Sequence, residues 1–473
     1  MYINGEWIKS DKTFSVFNPA NGEQIAEVTD GSKADAARAI DIAADAFPNW
    51  SASTSYERSA KLYQAYKLMT ERQTELAELM TKEQGKPLKA AMNEVKYAAD
   101  FLLWFAEEAK RVYGETIPSA RSDQRFLVRK QAVGVVAAVT PWNYPVSMIT
   151  RKVAPALAAG CTIVLKPAES TPLCAIAVFK ILEEAGIPAG VINLITASNP
   201  KPIGEEFCTN PKVRKLTFTG STAVGKKLAQ DAASQLKRVS LELGGHAPFI
   251  VFDDADPVHA AKGVALVKFL NSGQACISPN RIFVQRSIME PFLITLGERI
   301  KKLKAGDGMQ EGITIGPLVN QQAIVKVDKQ VQDAVKNGAT LHCGGQRLTD
   351  NNLDKGHFYA PTLLSEVTKD MLIYREETFG PVAPVIAFDT QEEVLAMAND
   401  THYGLASYVY TRDLSRALRM FEGLQFGIVG INDINPTSAA APFGGMKESG
   451  LGREGAREGI DEYLETKLGG ISI

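Results

Sequence analysis

The sequence predicts an α/β protein with two parallel-sheet domains. Short β-branched runs alternate with helical stretches from residue 133 onward, and a second such series follows Gly245. A length of 473 residues allows two to four domains and a large core.

Residues 33–47 and 55–84 are rich in alanine and leucine with charges at helical spacing. The first hundred residues therefore read as helices joined by short turns, with a long helix over 89–112. From there the texture changes. Runs at 133–139, 162–165, 191–195 and 216–218 are strand-like, with helices at 172–185 and 222–233 between them. After Gly245 the predicted strands are 248–252, 281–285 and 382–388, and the helices are 257–270 and 289–303. Asp256 before Pro257 is a good helix start, because the carboxylate accepts from the first N–H groups and proline suits the first turn. The boundary between the two domains is placed at Gly244-Gly245. Residues 462–467 form a last strand compatible with edge pairing.

Composition excludes several classes. Hydrophobic residues make up 45% and charged residues 22%, as in an ordinary globular protein, and a net charge of −2 offers no basic field to nucleic acid or anionic membrane. Cys161, Cys174, Cys208, Cys276 and Cys343 are scattered, form no CxxC pair, and read as reduced thiols. The histidines lack metal-ligand spacing, so no metal is expected. The N-terminus has no basic stretch followed by an apolar core, and no apolar run approaches the ~18 residues of a membrane span. A cytoplasmic protein is expected.

Three segments carry chemistry. Asn271-Ser-Gly-Gln-Ala-Cys276 joins a helical run to a strand, and its small residues leave room for a substrate beside the thiol and its backbone N–H. Cys276 is either a buried structural cysteine or a nucleophile, and its environment decides which. In Leu241-Glu242-Leu243-Gly244-Gly245 a carboxylate sits between leucines. It is either an exposed strand end or a general base with a raised pKa. In Thr140-Pro-Trp-Asn143-Tyr-Pro145 an asparagine between prolines is rigidly placed, either to form a turn or to donate its NH2 to an oxyanion.

Two further segments suit a nucleotide. Leu216-Thr-Phe-Thr-Gly-Ser221 runs into the helix at 222–233, whose first N–H groups can face a phosphate. With Gly220 and Gly225 alone it is not a GxGxxG fingerprint. Lys166-Pro-Ala-Glu169 is either a surface ion pair or a grip on ribose hydroxyls. A carboxylate on the adenosine 2′-OH would repel a 2′-phosphate, which predicts NAD over NADP, with NADP use still open.

Together with Glu376-Glu-Thr-Phe-Gly-Pro-Val382 and Pro442-Phe-Gly-Gly-Met-Lys-Glu-Ser-Gly450, these segments resemble the aldehyde dehydrogenase superfamily over nearly the whole chain. The resemblance implies two Rossmann-like, doubly wound domains: NAD-binding (1–112 and 132–244) and catalytic (245–440). It also implies a small β arm (113–131 with 455–473) that pairs subunits into a homodimer or homotetramer. By the same resemblance Cys276 attacks an aldehyde, Asn143 and the Cys276 N–H hold the oxyanion, and Glu242 activates the hydrolytic water. Lys152 and Glu454 order the site or relay protons. Thr140, Pro141, Trp142, Leu243, Gly220, Ser221, Gly225, Lys166 and Glu169 match cofactor-contacting positions, with Glu377 on the nicotinamide ribose and Phe379 beside the ring.

Within the superfamily the chain looks most like the succinate-semialdehyde dehydrogenases, on Met148-Ile-Thr-Arg-Lys-Val-Ala-Pro155 and Gly450-Leu-Gly-Arg-Glu-Gly455 among others. Arg151 matches an arginine that binds the distal carboxylate there, and Thr437 or Ser438 could supply a hydroxyl. Three departures stand out. Leu270 occupies a position where that subfamily usually has a second arginine, which keeps open a longer or less acidic aldehyde. Ser278 replaces a second cysteine found in some members. His246 stands where relatives carry Asn or Lys, either structural or tuning Glu242. A cysteine hydrolase would need a histidine base of which no local signature exists. A non-catalytic binder would not need Cys276, Glu242 and Asn143 together.

Overall fold

A computed structural model describes all 473 residues. Its first sheet has eight strands in the spatial order Gly450–Leu451, Arg238–Glu242, Val213–Thr219, Val135–Val139, Thr162–Lys166, Ile192–Leu194, Tyr2–Ile3, Glu6–Trp7. The five strands between residues 135 and 242 are mutually parallel. Numbered along the chain, their order is 3-2-1-4-5, so the winding direction reverses between Val135–Val139 and Val213–Thr219. In open α/β sheets, ligands bind beyond the carboxyl ends of the strands at such a reversal. The loops starting at Thr140 and at Gly220 emerge there.

The second sheet has seven strands, in the order Thr340–Cys343, Thr362–Ser365, Val382–Phe388, Pro279–Gln285, Ala247–Val251, Ala406–Tyr410, Ile428–Ile431. All are parallel except Thr340–Cys343. Alternate residues feed opposite faces, as the strand period of two requires. Val136 and Ala138 join one core of the first sheet while Val135 and Ala137 join the other. Phe249 and Val251 divide likewise from Ile250 in the second. Strands buried on both faces read as continuous apolar runs, which is why these were visible in the sequence.

The chain returns to the first sheet late: Gly450–Leu451 pairs antiparallel with Leu241 and Glu242. A third sheet joins Leu464–Ser472, Gln124–Ala132 and Glu115–Ile117, all antiparallel. The last strand thus starts and ends later than the 462–467 expected.

Two expectations are corrected. The helical stretch at 55–84 is two helices, Ser55–Glu71 and Gln73–Gln84, broken at Arg72, which adopts φ −99° and ψ 19°. The first thirty residues carry four short strands rather than turns alone; Tyr2–Ile3 and Glu6–Trp7 extend the first sheet, and Thr13–Phe17 pairs with Gln24–Thr29. No helix is long and apolar enough to cross a membrane.

Candidate active site

Helix Pro257–Phe269 ends in a tight turn, Leu270–Gly273, that leads through Cys276 to strand Pro279–Gln285. Asn271, Ser272 and Gly273 adopt φ of 48°, 57° and 76°. Consecutive left-handed residues are strained, and the surroundings must hold them. They do: Ser272 Oγ donates to the Gly316 carbonyl (2.8 Å), and Gln274 Nε2 donates to the carbonyls of Asn271 and Pro317 (both 3.2 Å). A Cβ on Gly273 would overlap the Gly380 carbonyl, so the turn demands glycine there.

Asn143 leaves the first sheet on the loop after Val135–Val139 and meets this turn. Its Nδ2 donates to the Gln274 carbonyl (3.0 Å), and its own carbonyl accepts from Asn271 Nδ2 (3.0 Å). Glu242 ends strand Arg238–Glu242, and three residues on, the backbone of Gly245 packs against the Cys276 carbonyl so closely that no Cβ would fit.

Two cavities of about 450 and 470 Å³ meet at the thiol. The first is walled by Tyr97, Tyr144, Arg151, Leu270, Ile434, Thr437 and Phe443, among others. The second is walled by Pro141, Trp142, Asn143, Gly220, Ser221, Leu243, Glu377 and Phe379, among others. Met148 and Cys276 are the two residues common to both. A nucleophile reached from two chambers at once can take a substrate from one and face a second reactant in the other.

The sequence profile described as "Aldehyde dehydrogenase family" matches residues 7–468. A glutarate-semialdehyde dehydrogenase of Pseudomonas putida is 51% identical over 100% of this chain and 97% of its own. A succinate-semialdehyde dehydrogenase [NADP(+)] of Escherichia coli is 49% identical, over 98% and 96% respectively. The crystal structure of succinate-semialdehyde dehydrogenase from Burkholderia pseudomallei superposes with a TM-score of 0.97 at 48% identity, over 100% of this chain and 97% of that one. The chain belongs to the aldehyde dehydrogenase family. It is an NAD(P)-dependent aldehyde dehydrogenase.

In this aldehyde dehydrogenase the carboxylates behind the cavities are split by their neighbours. Burial raises the carboxyl pKa of Glu454, but Lys152 Nζ at 2.5 Å and Arg151 Nε at 2.7 Å outweigh it and hold the group below the usual range. Glu242 is pushed well up, first by burial and then by the charge on Glu454. Its Oε2 has no hydrogen-bond partner. Two carboxyls with diverging pKa values are the usual setting for acid–base work. Burial also pushes the Cys276 thiol up to about 12, with Arg151 opposing and Glu242 and Glu377 adding. Burial raises Glu377 to about 7 while its Oε1 accepts from the Gly245 N–H (2.8 Å).

Several predicted residues stand off the cavity walls. Glu242, Lys152 and Glu454 lie behind them, Thr140 is buried at the carboxyl end of strand Val135–Val139, and Gly225 packs under Leu243. Ser438 points to solvent, whereas Thr437 reaches the first cavity. Lys166 pairs with the exposed Glu169 at 3.0 Å, outside both cavities. His246 faces the Tyr374 carbonyl (2.7 Å) and Arg281, and burial drives its pKa well below normal. Its setting is that of a neutral packing residue.

Sequence reasoning missed Lys86, Glu94, Asn271 and Gln274. Lys86 falls between two expected helices and Glu94 within the second, and both charges are buried; the only signal was Gly85-Lys86-Pro87, a punctuated turn.

Proposed function

We propose that this enzyme oxidises a carboxylate-bearing semialdehyde of the succinic or glutaric type to the dicarboxylic acid, with NAD. The observation that carries the reading is the thiol shared by the two cavities. Cys276, as the thiolate, adds through Sγ to the aldehyde carbon. The oxygen, now an anion, is met by Asn143 Nδ2 and the Cys276 N–H. A nicotinamide dinucleotide held along the second cavity would supply the two-electron acceptor that turns this adduct into a thioester. Glu242 removes a proton from water as the water attacks the thioester carbon; the C–S bond breaks, the acid leaves and the thiolate is restored.

The residues along the second cavity fit a nicotinamide dinucleotide. Ser221 stands at the start of helix Thr222–Ala233 without capping it, so the first N–H groups are free for a pyrophosphate. Trp142 and Phe379 meet edge-to-face with centroids 5.6 Å apart and wall the ring end, and Glu377 is set to accept from a ribose hydroxyl. Lys166 and Glu169 suit the other ribose. The exposed Glu169 carboxylate would repel a 2′-phosphate, so kcat/KM with NAD is expected to exceed that with NADP by about tenfold or more, roughly 1.4 kcal/mol. NADP favoured by that margin would refute the role given to Glu169.

On the aldehyde side, Arg151 Nη2 is buried without a partner on a cavity wall, and Thr437 and Asn435 stand nearby. That supports a distal carboxylate. The only cations on this wall, Lys86 and Arg151, are already paired with Glu94 and Glu454. Leu270, 46% exposed, adds no charge. Leu270→Arg is therefore expected to raise kcat/KM for succinic semialdehyde about ten- to hundredfold, the worth of one charge-assisted bond. The reading is tested by NADH formation at 340 nm with semialdehydes and neutral aldehydes of matched length. Carboxylate-bearing substrates should rank first. Neutral aldehydes ranking first would favour the less acidic substrate that the apolar Leu266, Leu270 and Ile277 wall also suits.

A further inference from the structure

Lys86 lies in the turn between helices Gln73–Gln84 and Leu88–Glu108, and Glu94 one and a half turns into the second. Both side chains are 1% exposed and paired with each other. Lys86 Nζ also donates to the Asn143 carbonyl (2.8 Å) and sits 3.9 Å from the centre of the Tyr144 ring. Glu94 Oε1 accepts from the N–H groups of Val146 (3.0 Å) and Ser147 (3.1 Å), where helix Ser147–Ala159 begins. The pair thus grips residues 143–147 from one side. On the other side Asn271 and Gln274 hold Asn143 through the bonds described above.

A buried ion pair is a poor source of stability, since desolvation offsets much of its attraction and well-packed apolar residues often do as well. Its use here is geometric. Resting on the reading of Asn143 as the oxyanion donor, we infer that Lys86 and Glu94 are positioning residues that hold the Asn143 amide at the distance and angle the thiohemiacetal oxygen requires. The pair fixes the backbone of the loop, and the left-handed turn fixes the side chain.

The experiment measures the single-turnover rate of NADH formation in the full-length enzyme, with NAD affinity and melting temperature measured alongside. Asn143→Ala should lower the rate roughly 10²–10³-fold, as loss of an oxyanion donor does. Lys86→Met should lower it at least about tenfold through misplacement alone, with NAD affinity unchanged. In the Asn143→Ala background Lys86→Met should cost less than about a further twofold, because its effect passes through that amide. Multiplying effects in the double variant, or an unimpaired Lys86→Met, overturns the inference. A normal rate for Asn143→Ala overturns the oxyanion reading itself. If Lys86→Met fails to fold, Lys86→Met with Glu94→Gln leaves no unpaired buried charge and answers by the same criteria.

Discussion

Cys276→Ser is expected to lose NAD-dependent aldehyde oxidation by more than about 10⁴-fold while still binding the nucleotide, the scale seen when a nucleophile is removed and the rest of a site survives. The protein gives a serine no help. No histidine lines either cavity, and of the carboxyls that do, Glu94 is engaged by Lys86 and Glu377 by the Gly245 N–H. Even the natural thiol is pushed up to about 12 by burial, with Arg151 opposing that shift. An alkoxide would be far harder to form. Nucleotide binding is expected to survive because the contacts proposed for it involve residues other than Cys276, and Trp142 in the second cavity's wall offers a fluorescence readout. Substantial turnover by the serine variant would mean that the bond to the aldehyde forms elsewhere.

Glu242→Gln is expected to separate the two halves of the reaction. Hydride transfer should proceed once per site, giving a burst of NADH, and the steady rate should then fall about 10²–10⁴-fold for want of a general base. The pH dependence has a definite sign. A carboxyl raised by burial and by Glu454 is protonated below its elevated pKa and cannot accept a proton from water. Steady turnover of the natural enzyme should therefore rise with pH through that value, and the glutamine variant should lack this limb. A steady rate equal to that of the natural enzyme, with the same rise, would remove Glu242 from hydrolysis.

Much of the fold was legible because strands buried on both faces must be apolar and β-branched, and helices between them must carry a 3.6-residue stripe. Val135–Val139, Thr222–Ala233 and Val382–Phe388 all came through within two residues. Tyr2–Ile3 and Glu6–Trp7 did not, since two-residue strands have no periodicity and exist only because an existing sheet edge accepts them. The local motifs around Cys276, Glu242 and Asn143 were readable. Their mutual packing was not: Asn143 and Gln274 are 131 positions apart, and only the tertiary fold brings them within hydrogen-bonding distance. Lys86 and Glu94 were invisible for a different reason. A lysine and a glutamate eight residues apart look like solvent-facing charges until the fold buries them together.

The near-independence of the two chambers, joined through Met148 and Cys276 alone, has an evolutionary consequence. On the roles proposed above, variation at Glu169 or Lys166 would retune which dinucleotide is used without disturbing the aldehyde, and variation at Leu270 or Thr437 would do the converse. A lineage built on this plan can explore new metabolites while keeping its redox currency, because the two choices are written in separate sets of positions.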